Sequence, residues 1–134
     1  LTLEQLEQTL PNGLHDAKLR SLSRDFHSET LTLNVSVLVG LPSDPVTRRD
    51  GYRDAFITFT GVKVCAIEAP DVSSAFQTSG SLFFRIDRSE VGAFAPELEA
   101  SLPKDIHRYS LFILDWLSSI HIAVLDAIFA WTPS

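Results

Sequence analysis

The run from Thr30 to Val39 constrains this chain more than any other feature. Leu31, Leu33, Val35, Val37 and Val39 alternate with Thr30, Thr32, Asn34, Ser36 and Leu38. Successive side chains of a strand point to opposite faces, so this period of two puts one apolar set on a core and the hydroxyls on the other side. A helix would scatter the same residues around its axis. The run predicts a half-buried strand, and strands of that kind belong to antiparallel sheets rather than to parallel sheets covered by crossover helices.

The flanking segments extend the pattern. His15 to Phe26 reads as a partner strand, with Ala17 and Leu19 on one face and Lys18 and Arg20 on the other. Its alternation slips near Leu22, which predicts a bulge or a strand end there. A turn at His27-Ser28-Glu29 then makes a hairpin with the strand at 30–39. Ala55 to Ile67 reads as a long strand with a defect. Ile57 and Phe59 share one face, Val62, Val64 and Ala66 the other, and one extra residue at a Gly61 bulge would bring both sets inward. Leu82, Phe84 and Ile86 alternate with Ser81, Phe83, Arg85 and Asp87, and Arg108 to Leu114 reads as a further strand. Ser118 to Trp131 fits either a helix (Ile120, Val124, Ile128) or a strand (Ile120, Ile122, Val124), and its β-branched content favours the strand.

Two helices are expected. Thr2 stands three residues before Gln5, a capping-box spacing, and Leu3, Leu6 and Leu10 form one stripe that Pro11-Asn12-Gly13 ends. Pro96 to Leu102 suits one or two turns, with proline early and Pro103 closing it. The expected architecture is mainly β (α+β): a single domain over 1–134, built as a curved antiparallel sheet or a two-layer β-sandwich, with a short N-terminal helix and one short helix near 96–102. At 134 residues and 45% hydrophobic, the chain can bury a core without a disulfide or metal staple.

Charge and motif content narrow the chemistry. A net charge of −6 argues against nucleic-acid or anionic-membrane binding, which need positive surfaces. No segment reaches the ~18–20 apolar residues of a membrane-spanning helix. The single cysteine, Cys65, excludes an internal disulfide and a multi-thiolate zinc site, and its apolar neighbours suggest a buried, inert thiol in a reduced compartment. The acidic, amphipathic first residues do not read as a signal peptide, and a cytoplasmic location is expected. Nucleotide and serine-hydrolase motifs are absent from the sequence.

Several residues remain as candidates. The long segment 40–54 carries Arg48, Arg49 and Arg53, opposite in sign to the chain, with Tyr52 beside them. Structureless connections above ~12 residues are uncommon in compact domains, so this one is a candidate contact loop for a carboxylate, a phosphate or an acidic partner. Asp44, Asp50 and Asp54 would neutralise it locally under the plainer reading. Phe83 falls on the polar face of its strand and marks a contact surface if exposed. His15, His107 and His121 are weak metal candidates, with Asp105 and Asp126 as orienting groups should His107 and His121 meet across adjacent strands. His15-Asp16 would point to opposite faces of a strand and so could not chelate together. Glu97 and Glu99 read as a solvated helical face. No cofactor and no catalytic residue are assigned.

The stretch Pro11-Asn12-Gly13-Leu14-His15-Asp16-Ala17 with the hairpin after it, and the Ser119-Ile120-His121-Ile122-Ala123 tail, resemble small uncharacterised bacterial families with an N-terminal His-Asp-Ala strand motif. Some of these are immunity proteins of toxin systems. The resemblance implies a bacterial, cytoplasmic, non-catalytic protein. The leading expectation is a non-enzymatic binding module, immunity-type or regulatory, with a protein partner. The alternatives are a small-molecule binder using a concave sheet face and the 40–54 loop, and less so a metal-dependent hydrolase. Edge strands also make a homodimer an expectation.

Overall fold

The structure is a computed structural model that describes residues 1–49, 51–71, 80–89 and 94–133. Its elements in chain order are α1 (Leu3–Thr9), β1 (Pro11–Leu14), β2 (Lys18–Asp25), β3 (Thr30–Leu38), the single helical turn α2 (Val46–Arg49), β4 (Tyr52–Thr60), β5 (Val64–Ile67), β6 (Leu82–Arg88), α3 (Pro96–Ser101), β7 (His107–Ile113), β8 (Ser118–Val124) and β9 (Asp126–Trp131). Eight strands make one antiparallel sheet in the order β5-β8-β7-β6-β2-β3-β4-β9, and the sheet does not close.

The alternation at 30–39 does what its period requires. Leu31, Leu33, Val35 and Val37 are fully buried, while the residues between them are only partly covered. Each such side chain contributes about 1.5–3 kcal/mol by leaving water, so β3 anchors the domain. The hairpin with β2 forms as expected, its turn held by Asp25 Oδ1, which accepts from the His27 and Ser28 amides at 2.9 and 3.2 Å. The bulge lies at Arg20 rather than near Leu22: Leu19 pairs with Val35 and Ser21 with Asn34, so Arg20 is the extra residue.

The sheet bends over on itself. β4 and β5 are two halves of one segment, and so are β8 and β9. β4 pairs with β9 and β5 with β8, so a two-stranded ribbon turns a corner and carries the sheet from one layer to the next. Gly61 stands at that corner with φ +58°, and Leu125 faces it from the other strand. The expected Gly61 bulge inside one strand is therefore a sharp break between two strands. Val62 turns inward, at 2% exposure, but Val64 and Ala66 do not follow it. Past the corner Cys65, opposite buried Ile122, packs against the core, and Ala66, opposite His121, faces outward. The segment 118–131 is extended throughout, interrupted only at Leu125. Inward residues of both layers merge into one core that includes Leu33, Ile57, Phe84, Leu111 and Ile122.

α1 covers one mouth of this core. Thr2 and Gln5 form the complete capping box, Leu6 and Leu10 are buried, and Leu3 packs against the core's edge. Arg88 holds Glu4 with two hydrogen bonds of 3.0 and 2.9 Å. β1 lies outside the main sheet. The Asn12 side-chain amide donates to Leu38 and Gly40 carbonyls at the end of β3, at 3.0 and 2.9 Å.

His15 is not on a strand. The Ala17 amide bonds to the Leu14 carbonyl, Asp16 takes φ +56°, and the two residues form a tight turn between β1 and β2. Freed from the pleat, His15 Nε2 comes within 3.3 Å of Asp16 Oδ2 instead of pointing away from it. The expected helix at 96–102 appears as α3, but Glu99 is not solvated. Arg108 grips its carboxylate through Nε and Nη2, with the two side chains only 11% and 17% exposed, and this pair fastens α3 to β7.

Candidate functional site

The site grows out of the register where the two layers meet. β2 and β6 are joined by two residue pairs, Lys18 with Phe83 and Leu19 with Leu82. Leu19 faces the core, so Lys18 and Phe83 stand side by side on the outer face. Two strands away, Tyr52 opens β4 and leans over the same lysine. Lys18 Nζ lies 4.4 Å from the Tyr52 ring centre and 5.2 Å from that of Phe83. Tyr52 Oη donates to the Asp16 carbonyl at 3.0 Å, which fixes the ring against the β1–β2 turn.

An ammonium between two ring faces is attracted by both quadrupoles, each worth about 0.5–1 kcal/mol at an exposed site. Lys18 meets no carboxylate among the described residues. The rings are accessible, Tyr52 at 37% and Phe83 at 38% exposure. Arg85 continues the belt on the same face of β6, its guanidinium 5.3 Å from the ring centre of Phe112 across the ladder. Beside it are shallow grooves of about 150 and 220 Å³ that His15 and Arg85 both line. Arg20, pushed out by its bulge, pairs instead with Asp54, whose other oxygen accepts from Ser36 Oγ at 2.8 Å.

The candidate residues thus divide. Tyr52 and Phe83 come together on Lys18. Arg53, next in the strand, points to the other side of β4 and lies 4.5 Å from the Trp131 ring centre. The side chains of Arg48 and Arg49, and Asp50 altogether, lie outside the described residues. The segment 40–54 is shorter as a loop than its sequence suggests, because α2 occupies 46–49 and β4 begins at Tyr52. Asp54 serves Arg20 rather than the arginines beside it, and Asp44 Oδ2 accepts from the Leu41 amide.

The histidines do not converge. His107 shares the inward side of β7 with Tyr109, its Nδ1 3.2 Å from Arg88 Nη1, whereas His121 is on the outward side of β8. Strand parity separates them, although the strands are adjacent. Asp126 accepts from the Leu1 nitrogen and the Ala127 amide rather than from a histidine. Among the described residues no three His, Cys, Asp or Glu side chains are grouped to hold a metal.

His121 belongs to a polar chain of its own. Ser110 Oγ lies 2.9 Å from its Nδ1, Glu68 Oε1 lies 3.2 Å from its Nε2, and Ser89 bonds to Ser110 in turn. The order serine–histidine–carboxylate is that of a hydrolase relay. Ser110, however, is mid-strand with ladder partners on both sides, Asp87 and His121. Glu68 also accepts from the Ser119 amide at 2.8 Å, so the chain pins the end of β5 to β8.

An open groove of about 530 Å³ lies between β2 and β5, lined by Leu22, Arg24, Phe26, Lys63, Cys65 and Ile67. The enclosed space between α1 and the sheet, lined by Leu6, Ile57, Phe59, Ile86, Tyr109 and Ala127, is about 10 Å³, room for roughly one water. Lys18, the centre of the outer belt, was legible only as a polar-face residue of β2. Its placement between two rings depends on pairing with β6, which no local pattern reports. Comparison with protein-family models, curated proteins and solved structures gives no match to this chain.

Proposed function

We propose that this protein is a non-enzymatic protein-binding module of the bacterial immunity or regulatory type, and that it meets its partner with the outer face centred on Lys18, Tyr52 and Phe83. The observation that carries the reading is the unpaired ammonium held between two exposed rings. Interface centres are rich in aromatic side chains that bring large area at low entropy cost. Here the rings and the lysine are ordered before any partner arrives, and a surface carboxylate of the partner would complete the cation. In a chain of net charge −6, a local cationic belt selects both sign and orientation.

The test begins with affinity capture from the native host and continues with the purified partner. Phe83→Ser and Lys18→Glu should each weaken binding about 30-fold or more, the ~2 kcal/mol of an interface hot spot. Phe26→Ser is the control, because Phe26 is 80% exposed at the far end of β2. Absence of any protein partner at micromolar concentration, or equal loss from all three substitutions, would defeat the proposal.

A further inference from the structure

We infer that the outer edge of β9 is a self-association edge, and that two copies of the chain pair through it as antiparallel strands about a two-fold axis. The argument starts from ladder parity. The Thr132 amide donates to the Asp54 carbonyl at 3.0 Å, and Ala130, Ile128 and Asp126 follow in step opposite Phe56, Thr58 and Thr60. In an antiparallel ladder the bonded pairs alternate, so these even-numbered residues spend their backbone groups on β4. The amides and carbonyls of Ala127, Phe129 and Trp131 therefore point away from the sheet. Asp126 Oδ1 takes the Ala127 amide at 2.8 Å. No strand among the described residues pairs with the groups of Phe129 and Trp131.

Natural edge strands are protected by lysine, proline, a bulge or brevity. Residues 127–131, Ala-Ile-Phe-Ala-Trp, have none of these protections and no charge. The other edge, β5, is flanked by Lys63 and Glu68, and the free stretch of β2 carries Arg20, Arg24 and Asp25. On the outer face, Ile128 is 57% exposed, with Phe56 of β4 beside it at 37%.

Charge selects the occupant. Two copies of a −6 chain repel, so pairing is favoured where the acids of the two copies do not face one another. In the register centred on Phe129, Ile128 of each copy lies beside Ala130 of the other. Each Asp126 then falls opposite Thr132 rather than opposite its counterpart. The edge is complementary to itself, and pairing supplies partners for the outward amides on both sides.

The experiment is sedimentation of the wild-type chain from micromolar to hundreds of micromolar, with amide exchange at both ends of that range. A monomer–dimer equilibrium is expected. Ile128→Lys and Ala130→Lys, both on exposed positions, should weaken it at least tenfold. The Phe129 and Trp131 amides should exchange at least tenfold more slowly in the dimer. The Ile128 and Ala130 amides, already bonded to β4, should not change. A wild-type chain that stays monomeric throughout would overturn the inference. So would a dimer that survives both substitutions, or one in which the Phe129 and Trp131 amides exchange as fast as in the monomer.

Discussion

Replacing Gly61 by alanine tests how the sheet turns its corner. At φ +58° an L-residue costs about 1–2 kcal/mol, against which the reduced freedom of the unfolded chain returns about 0.4–1 kcal/mol. The larger effect is steric. A Cβ at this position would stand 2.6 Å from Leu125 Cδ1 and 2.8 Å from its Cβ and Cγ. The leucine tip can swing, since the residue is 37% exposed, but its Cβ is fixed to the backbone of the opposing strand. The ribbon must therefore open where the Leu125 amide bonds to the Thr60 carbonyl and the Lys63 amide to the Ala123 carbonyl, at 3.0 and 2.8 Å. Overpacking of this kind costs about 1–3 kcal/mol, which puts the total near 2–3 kcal/mol. With a urea dependence of about 2 kcal/mol per molar, the unfolding midpoint should fall by about 1–1.5 M. Leu125→Ala removes two of the three contacts, so Gly61→Ala should cost about 1 kcal/mol less in that background. A cost below about 0.5 kcal/mol, or the same cost in both backgrounds, would refute the reasoning.

Two further perturbations have signed outcomes. Hydrogen bonds from Arg88, ahead of its own backbone contact, hold the Glu4 pKa down from 4.5 to about 2, so the pair's contribution is present above pH 4.5 and is lost as pH falls toward 2. Glu4 is 57% exposed and solvent screens the pair, so Glu4→Gln should flatten acid destabilisation in that window by less than about 1 kcal/mol, read from urea midpoints at successive pH. Burial pushes the Cys65 thiol up, and the opposing field of Arg24 does not cancel it. Cys65 is half-buried rather than buried as its apolar neighbours suggest, because the edge strand β5 leaves it beside an open groove of about 530 Å³. Alkylation at pH 8 followed by mass spectrometry should still be at least several-fold slower than for a free thiol. Reaction as fast as glutathione's would refute it.

Local pattern disclosed local structure and stopped where pairing became non-local. The period of two at 30–39 and the Thr2–Gln5 cap needed only neighbours in sequence, and both stand as read. Gly61 was visible as a defect because two apolar sets lay out of phase. Whether a defect is a bulge or a corner depends on what the opposing strand does, and Leu125 lies 64 positions on. The ambiguity over 118–131 has the same origin. Its break at Leu125 answers the one at Gly61, and neither alone states that a ribbon bends. His15 was misplaced for a different reason: the turn needs Asp16 in the left-handed region, which aspartate tolerates without announcing it as glycine does.

The site shows how far a single strand's pattern reaches. Phe83 stood out because a large apolar residue occupied a polar face, and Tyr52 because it adjoined the arginines. The two signals are local and unrelated to one another. What unites them is Lys18, an unremarkable member of an alternating strand until β6 is laid beside it. The arginines drew notice through their sign, yet sign is a property of composition, whereas a contact surface is one of register. Arg20 and Lys18 share a face of β2 and differ by two positions. The bulge at Arg20 sends one to Asp54 and leaves the other without a carboxylate. A one-residue irregularity therefore decides which of two neighbouring cations is free to meet a partner. Deleting Arg20 should close the ladder without a bulge, with Lys18 still opposite Ser36 and Leu19 still opposite Val35, so partner binding should persist while Asp54 loses its cation; a deletion that abolished binding would show that the bulge itself shapes the belt.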